Sequence, residues 1–447
     1  MVAITNPFLL GNYAPVHDEL TDERLEVVGS VPRELSGRYL RIGPNPYAIP
    51  EGPYHWFVGD GMVHGVELRD GQASWYRNRW VRTPDVATAL GEPQPSGPPP
   101  PMYDASNTNV LGHAGRIFSL TEGAMPYVLS PELETLGRTD FGGALPTGFT
   151  AHPKIDPLTG EMHGFAYSWA EPHLIYHVVD AAGRLVRSEP ITVGGPTMIH
   201  DFALTHTHVV FLDLPVVFDL GMVERGLAMP YRWDDDYPAR VGIMPRDGGD
   251  ADVKWFDVEP CYVFHSMNAY DDGDTVVVDV VRHPTMFAKS IEGPNDGGTP
   301  TLDRWTIDAA AGKVREERLD DRGQEFPRVN ETLLMSRHRY GYSVEAVNND
   351  TAFDTARVLK HDLRAGTTEQ HDFEHGGNPG EFVFVPAQDA TSEDDGYLMG
   401  YVYDATRDSS DFVILAAHDV AASPIATVRL PQRVPFGFHG NWVADTR

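Results

Sequence analysis

The sequence is poor in the residues on which several classes of protein depend. It has a single cysteine, Cys261, which excludes an internal disulfide and any metal site or cluster built on several thiolates. Basic residues are also scarce, since 35 Lys and Arg stand against 65 Asp and Glu and give a net charge of −30. A surface of this sign repels phosphate, so we expect no nucleic-acid partner and little attraction to anionic lipid.

Long apolar runs are missing as well. No stretch approaches the roughly 18 uncharged apolar residues that suggest a membrane-spanning helix. The first residues also lack a basic segment followed by an apolar one, which a secretory signal would need. We therefore expect the protein to be cytoplasmic.

Short apolar runs, in contrast, recur between turn signals supplied by 43 glycines and 36 prolines. Runs rich in Val, Ile, Phe, Tyr and Leu predict strands at residues 37–42, 116–120, 208–214, 274–281, 397–403, 412–417 and 426–430. Helical patterns are few, the best being residues 20–28 and 215–227, and the proline-rich residues 85–102 suggest an irregular loop. Many short strands without alternating helices predict an all-β protein. A propeller would leave only short edges exposed, and no linker divides the chain, so we expect one domain over residues 1–447.

Four of the 19 histidines stand out by their surroundings. His152, His200, His265 and His439 each follow an apolar or aromatic stretch and lie near a turn. The gaps between them are far too long for a local finger-type motif, but they suit ligands that separate blades deliver to one axis. Spacing alone leaves two interpretations open, a shared metal site or four unrelated histidines.

The four histidine segments resemble the ligand motifs of the carotenoid cleavage oxygenases. This family includes apocarotenoid oxygenases, lignostilbene dioxygenases and the retinal isomerase of the visual cycle. The resemblance runs nearly end to end, from LSGRYLRIGPNP at residues 35–46 and FVGDGMVH at residues 57–64 to FHGNW at residues 438–442. It implies a seven-bladed β-propeller with a dome of loops and short helices over the iron axis.

The resemblance also implies a metal site and its surroundings. His152, His200, His265 and His439 would bind one Fe(2+) per chain, for which neutral imidazole is a suitable ligand. Three glutamates would accept hydrogen bonds from these histidines and orient them, namely Glu122, Glu325 and Glu381. Thr108, in an Asn-Thr-Asn run, matches a position beside the open coordination site that is apolar in the isomerase branch.

The substrate class is indicated by a position at which this sequence differs from the hydroxystilbene-cleaving members of the family. Members that cleave hydroxystilbenes hold the phenol with a lysine at the position of Thr121, and a threonine cannot supply that charge. An apolar tunnel for a polyene fits better, and the aromatic candidates for its lining are Phe57, Tyr103, Phe149, Phe264, Phe382 and Phe438. Residues 215–229 would either form an apolar rim that contacts a membrane or pack as a helix of the dome.

Together these features predict a monomeric non-heme Fe(II) dioxygenase that cleaves a C=C bond of an apocarotenoid or carotenoid with O2 and gives two carbonyl products. Its partners would be a lipophilic small molecule and O2. Three alternatives remain: an oxygenase of stilbenes or phenylpropenoids, an isomerase, and a non-catalytic propeller that binds partners. Thr121 is the evidence against the first and Thr108 against the second.

Overall fold

The computed structural model describes residues 6–50, 54–100, 104–143, 145–288, 298–348 and 353–445. Strands dominate it. The first half of the chain forms β1 (Thr21–Asp22), β2 (Glu26–Gly29), β3 (Gly37–Pro44), β4 (Gly61–Arg69), β5 (Gln72–Trp80), β6 (Asn109–His113), β7 (Arg116–Leu120), β8 (Tyr127–Leu129), β9 (Thr135–Arg138), β10 (Lys154–Ile155), β11 (Met162–Tyr167), β12 (Leu174–Val179), β13 (Leu185–Ile191), β14 (Ala203–Leu204), β15 (His208–Asp213), β16 (Val216–Phe218) and β17 (Tyr231–Trp233).

The remaining strands follow the same pattern of short segments. They are β18 (Arg240–Pro245), β19 (Lys254–Asp257), β20 (Tyr262–Asp272), β21 (Thr275–His283), β22 (Thr301–Asp308), β23 (Lys313–Asp320), β24 (Gln324–Arg328), β25 (Tyr340–Asn348), β26 (Phe353–Asp362), β27 (Thr367–Asp372), β28 (Asn378–Pro379), β29 (Val383–Pro386), β30 (Gly396–Asp404), β31 (Ser409–Ala416), β32 (Ala426–Arg429) and β33 (Gly440–Ala444).

Helices are few and short. The α-helices of the described residues are α1 (Pro84–Leu90) and α2 (Leu220–Glu224). Single 3-10 turns lie at Pro7–Leu9, Gly11–Tyr13, Trp56–Val58, Asp250–Asp252, Glu331–Leu333 and Glu374–Gly376. Within the described part of the chain, none of these helices has the length and apolar character needed to cross a membrane.

The strands form seven sheets of four to six strands, which are the blades of a seven-bladed β-propeller, and one two-stranded sheet, β16–β17. The fold class expected for the chain is therefore confirmed. The chain divides into two compact units. Unit 1 consists of Met1–Gly148, Thr355–Lys360 and Glu369–Arg447, and unit 2 of Phe149–Asp354 and His361–Thr368.

Unit 1 contains three whole blades, and the two ends of the chain meet in two of them. One blade has the order β1-β5-β4-β3-β33, the second is β6–β9, and the third has the order β2-β32-β31-β30-β28 with β29 also on β30. The C-terminal β33 pairs with β3, from Gly37 opposite Ala444 to Arg41 opposite Gly440. A Cβ on Gly43 would lie 2.6 Å from the Cα of Gly437, so these backbones approach as closely as only glycine allows.

Unit 2 contains the blades β10–β13, β14-β15-β18-β19 and β20–β23, while the strands of the last blade, β24–β27, are divided between the two units.

Burial changes across a blade in the way that strand geometry dictates. All six residues of β12 are buried, whereas exposed and partly buried residues alternate along most of the neighbouring edge strand β13. Successive side chains of a strand point to opposite faces, so the alternation marks a strand with one face in solvent.

The strand predictions are confirmed, because β3, β7, β15, β21, β30, β31 and β32 each overlap a predicted run. The helix predicted at residues 20–28 is wrong, because β1 and β2 occupy it and β2 pairs with β32 from the far end of the chain. The helix predicted at residues 215–227 is only partly right, since β16 precedes the short α2.

The irregular loop predicted at residues 85–102 is also partly wrong, because α1 covers its first residues. Thr83 caps this helix by accepting a hydrogen bond from the Val86 N–H at 3.5 Å, Pro84 occupies its first turn, and Gly91 ends it in a left-handed conformation. Proline is favourable in the first turn of a helix and unfavourable only in its interior. The loop prediction for residues 85–102 considered only the second effect.

Candidate metal centre

Four buried histidines lie at strand starts or in a bulged strand. His152 precedes β10, His200 precedes β14, His439 directly precedes β33, and His265 lies within β20. Each of these strands is the edge strand of its sheet. The structure brings the four histidines together, with one ring nitrogen of each within 4.8 Å of the others.

The geometry of this cluster fits a metal ion. The Nε2 atoms of His152 and His200 face each other at 2.9 Å. Metal–imidazole bonds of the zinc type are about 2.0–2.1 Å long, so two ligands at right angles have their nitrogens about 3 Å apart. The four side chains are between 3 % and 9 % exposed, so the site is dry. Burying four polar imidazoles side by side is costly, and a shared metal ion would offset that cost.

Glu325 orients His265, one of the four histidines, through a hydrogen bond to its Nδ1. Its Oε2 accepts a hydrogen bond from His265 Nδ1 at 2.5 Å and another from the Phe326 N–H at 2.6 Å. Its Oε1 accepts from His283 Nε2 at 2.7 Å. Burial raises the pKa of Glu325, but the two imidazoles lower it by more, and the carboxyl pKa lies well below its usual range.

Glu381 does the same for His439. Its Oε1 accepts a hydrogen bond from His439 Nδ1 at 3.0 Å, and its Oε2 accepts from the Gly440 N–H at 2.9 Å. In both pairs the Nδ1–H is directed to a carboxylate, which leaves the lone pair of Nε2 for a metal. Gly440 is the first residue of β33, so the strand that joins the chain ends also fixes this histidine.

Irregular pairing in β20 and β24 sets the directions of the His265 and Glu325 side chains. β20 shifts register between Val263 and Ser266 and again before Asn268, and His265 lies within this bulged segment. β24 shifts register between Glu325 and Arg328, and Phe326 has a positive φ of 54° there. Bulges turn side chains away from their regular directions, and strained backbone of this kind clusters at functional sites.

Glu122 lies between β7 and β8 and is partly buried. Its predicted hydrogen bond to a ligand histidine stays a prediction.

Thr108 and Thr121 share the Asn107 side chain. Thr108 Oγ1 donates to Asn107 Oδ1 at 2.8 Å, Thr121 Oγ1 donates to the same oxygen at 3.1 Å, and the Asn107 N–H donates to Thr121 Oγ1 at 2.7 Å. The Asn107 amide in turn donates to the carbonyls of Phe57 and Gly59. The Thr108 carbonyl accepts from the backbone N–H of His439 at 3.0 Å, which connects this network to the metal centre.

Two of the predicted tunnel aromatics adjoin histidines of the cluster, and a third packs on one of these two. Phe264 contacts His200 edge-on with ring centroids 5.1 Å apart. Phe438 precedes His439 and packs on Phe57 at 5.6 Å.

The other predicted tunnel aromatics are placed differently. Phe149 is buried against His177 and Gly164 of its own blade, and Phe382 against Gly400 and Phe373. Tyr103 lies outside the described residues. The tunnel roles of all six stay predictions.

A second group that could hold a cation is filled by an arginine. Asp156, Glu161 and His163 lie together, but Arg246 donates to Asp156 at 2.7 Å and to His163 Nε2 at 2.8 Å. The guanidinium supplies the positive charge that a metal would bring, so this group is an ion-pair network.

Sequence reasoning missed several residues of the site. His283 shares Glu325 with His265, Asn107 orders the two threonines, and the carboxylate of Asp201 bonds Lys154 and Ser266, which lie near His152 and His265 in the sequence. Asp201 had a visible signal, since it follows His200 directly. Asn107 had a similar signal, since it precedes Thr108 in the Asn-Thr-Asn run. His283 had none of comparable strength, because its contact with Glu325 depends on the fold.

Comparisons with known proteins agree over nearly the whole chain. The family model described as "Retinal pigment epithelial membrane protein" matches residues 13–444. A carotenoid cleavage oxygenase of Mycobacterium tuberculosis is 45% identical over an alignment 494 positions long, covering 99% of this chain and 98% of the relative. A carotenoid 9,10(9',10')-cleavage dioxygenase 1 of Pisum sativum is 33% identical, covering 99% and 91%.

Solved structures show the same similarity. The lignostilbene dioxygenase of Pseudomonas brassicacearum has a TM-score of 0.90 and 28% identity, covering 99% of both chains. A cobalt-substituted Synechocystis ACO has a TM-score of 0.86 and 29% identity, covering 97% of this chain and 98% of the other.

Proposed function

This chain belongs to the carotenoid cleavage oxygenase family, and from that premise we propose that it is an Fe(II) dioxygenase that cleaves a C=C bond of an apolar polyene with O2. The products are two carbonyl compounds. The observation that carries the proposal is the cluster of His152, His200, His265 and His439, whose ring nitrogens lie within 4.8 Å of one another. A non-catalytic propeller would have no need to keep this cluster together with buried carboxylates behind it.

The four histidines would hold one iron(II) ion per chain. Imidazole nitrogen suits iron, and four neutral ligands leave positions of a six-coordinate ion open. When bound, iron would supply O2 activation beside the alkene. The protein itself supplies the rest: Glu325 and Glu381 fix the Nδ1–H tautomers of His265 and His439, and burial keeps the site dry.

The substrate is an apocarotenoid or carotenoid. Thr121 is 7 % exposed, and its hydroxyl is engaged with Asn107, so it cannot act as a charged anchor for a phenol. The relatives from M. tuberculosis and P. sativum bear carotenoid-cleaving names, which supports the same substrate class. The second candidate is cleavage of stilbenes, because the lignostilbene dioxygenase of P. brassicacearum shares the fold at a TM-score of 0.90.

An apolar patch in unit 2 supports contact with a membrane that stores the substrate. Leu220 and Val223 of α2 are 57% and 44% exposed, and Trp169, from a different loop, is 46% exposed. Trp169 stacks on Phe218, just before α2, with ring centroids 6.0 Å apart. Because the chain carries a charge of −30, we propose an uncharged lipid surface as the partner.

We further propose that the protein acts as a cytoplasmic monomer, as one domain, with this patch as its peripheral contact. The single buried Cys261 is compatible with a reducing compartment. Relatives that align over 99% of the chain support a single functional unit.

The test is product analysis under ¹⁸O₂. Iron-loaded protein is incubated with a panel of apocarotenals and 4-hydroxystilbenes, and mass spectrometry is used to find two carbonyl products, each with one labelled oxygen. His152→Ala should abolish product and lower iron content. His371→Ala is the matched control, since His371 is buried but bonds the Val420 carbonyl outside the cluster. Unlabelled products, or equal activity of the two variants, would overturn the proposal.

A further inference from the structure

The carboxylate of Asp201 is buried and fully hydrogen-bonded among residues that adjoin the histidine cluster. Asp201 is 1 % exposed. Its Oδ1 accepts from Lys154 Nζ at 2.7 Å and from the Phe202 N–H at 2.8 Å. Its Oδ2 accepts from the Ser266 N–H at 2.8 Å and the Ser266 hydroxyl at 2.7 Å. A carboxylate offers about four lone-pair sites, so these four donors use all of them.

The donors come from three separate segments, and each segment carries one histidine. Asp201 directly follows His200. Lys154 lies two residues after His152, and Ser266 directly follows His265. The three segments begin different blades, β10, β14 and β20. One buried anion therefore connects the three segments that carry three of the four histidines, through the Lys154 side chain and the backbones of Phe202 and Ser266.

The bulge in β20 explains why a carboxylate is needed at this point. Ser266 lies between the two register shifts of β20, where the regular ladder is interrupted. A backbone N–H in a bulge has to find another acceptor when it is buried. Asp201 accepts this N–H, and so it holds the bulge in the conformation that turns His265 toward the cluster.

We propose that Asp201 is a positioning residue of the metal centre: it fixes the relative places of His152, His200 and His265 without touching the metal. This inference rests on the proposed function only in that a metal binds the four histidines. It differs from the role of Glu325 and Glu381, because Asp201 accepts from lysine, serine and backbone donors and, among the described residues, from no histidine ring.

A matched control lies in the same unit. Asp213 is 0 % exposed and accepts from Arg240 Nε at 2.8 Å, Tyr237 OH at 2.6 Å and the Gly194 N–H at 3.0 Å. It is as buried as Asp201 and accepts three hydrogen bonds against four for Asp201, but none of these three partners adjoins a histidine of the cluster. A purely structural role would make the two positions equivalent.

The experiment compares Asp201→Asn with Asp213→Asn in the full chain. Metal-free protein is titrated with Co(II) against a competing chelator, the visible absorption spectrum of bound Co(II) is recorded, and the thermal midpoint is measured. We expect Asp201→Asn to bind Co(II) about 10–100-fold more weakly and with a changed spectrum, as for other groups that orient ligands. Asp213→Asn should lower the midpoint but keep the affinity and spectrum of the unaltered protein.

Equal affinity and spectra in the two variants would overturn the inference. If Asp201→Asn does not fold, Lys154→Gln and Ser266→Ala each remove one donor and are compared with Arg240→Gln. Several-fold weaker Co(II) binding in the first two alone supports the role, and equal binding in all three refutes it. Failure of the unaltered protein to bind any metal would instead refute the proposed function.

Discussion

Glu325 and His265 are joined by a hydrogen bond of 2.5 Å between Oε2 and Nδ1, and the other carboxylate oxygen is held by His283 at 2.7 Å. This pairing is entirely buried, since Glu325 is 4 % exposed. Two imidazole donors and one backbone N–H thus converge on a single acid. Such a carboxylate fixes the tautomer of the ligand histidine and makes its Nε2 more basic.

The first prediction concerns this acid. Glu325→Gln should weaken metal binding about 10–100-fold, because the amide replaces one acceptor with a donor that faces an N–H group. Chelator competition measures the affinity, and iron content per chain gives a second reading. Glu67→Gln is the control, since Glu67 is buried and paired with Arg38 at 3.1 Å. Similar metal affinity in the two variants would contradict the role of Glu325.

The second prediction concerns acid stability. Burial, and next the charge of Arg246, lower the pKa of His163 to about 3, against about 6.5 when unfolded. Between these values the unfolded chain binds one proton more than the folded chain, so stability falls as the pH falls below about 6.5. The loss from this one group is about 1.4 kcal/mol per pH unit.

Urea unfolding of the unaltered protein and of His163→Gln at pH 7, 6 and 5 measures this effect. The free energy of unfolding should fall less steeply with acid in the variant, because glutamine does not titrate. Groups outside the network of Asp156, Glu161 and Arg246 contribute equally to both curves, so the difference reports on His163 and these partners. Parallel curves would show that this residue does not contribute to acid unfolding.

The sequence predicted the strands well where β-branched and aromatic residues recur between turn signals, as in β7 and β21. It failed at residues 20–28, because β2 pairs with β32, about four hundred residues away, and no local pattern shows that partner. The failure at α1 had a different, local cause, because Thr83 caps this helix and Gly91 ends it before the later prolines are reached.

The site divides in the same way. The four histidines and Glu325 and Glu381 were identified because each sits in a motif that resembles a known family. Asn107 and His283 depend on which strand lies beside which, and Asp201 depends on the bulge at Ser266. Bulges and register arise from pairing between distant strands, so such contacts become visible only in three dimensions.

The third prediction concerns the apolar patch of Trp169, Leu220 and Val223. Replacing Leu220 and Val223 together with serine should weaken partitioning to uncharged lipid vesicles about thirtyfold, because each of the two apolar side chains contributes roughly 1 kcal/mol when partly inserted. Cleavage of an apocarotenal supplied in vesicles should slow accordingly, while cleavage of detergent-solubilised substrate should not change. Leu158→Ser is the control, since Leu158 is 78% exposed elsewhere on the surface. An equal effect of both changes on vesicle binding would remove the patch as the contact.

The last prediction concerns Thr121 and the choice of substrate. The Thr121 hydroxyl accepts a hydrogen bond from the Asn107 N–H at 2.7 Å and donates one to Asn107 Oδ1 at 3.1 Å. This side chain therefore offers no charged group that could bind a phenol. A site built around a polar anchor rejects substrates that lack the matching group, whereas an apolar site selects by length and fit, at about 0.8 kcal/mol per buried methylene. The unaltered protein should therefore show a higher kcat/KM for an apocarotenal than for a 4-hydroxystilbene in the same detergent. Thr121→Lys should shift this ratio toward the stilbene by roughly 10–100-fold, since a hydrogen bond to a charged group contributes about 1.5–3 kcal/mol. Thr121→Met, which adds similar bulk without charge, should lower both rates and leave the ratio near its original value. A preference of the unaltered protein for the stilbene would show that another side chain anchors the phenol and that the polyene assignment is wrong.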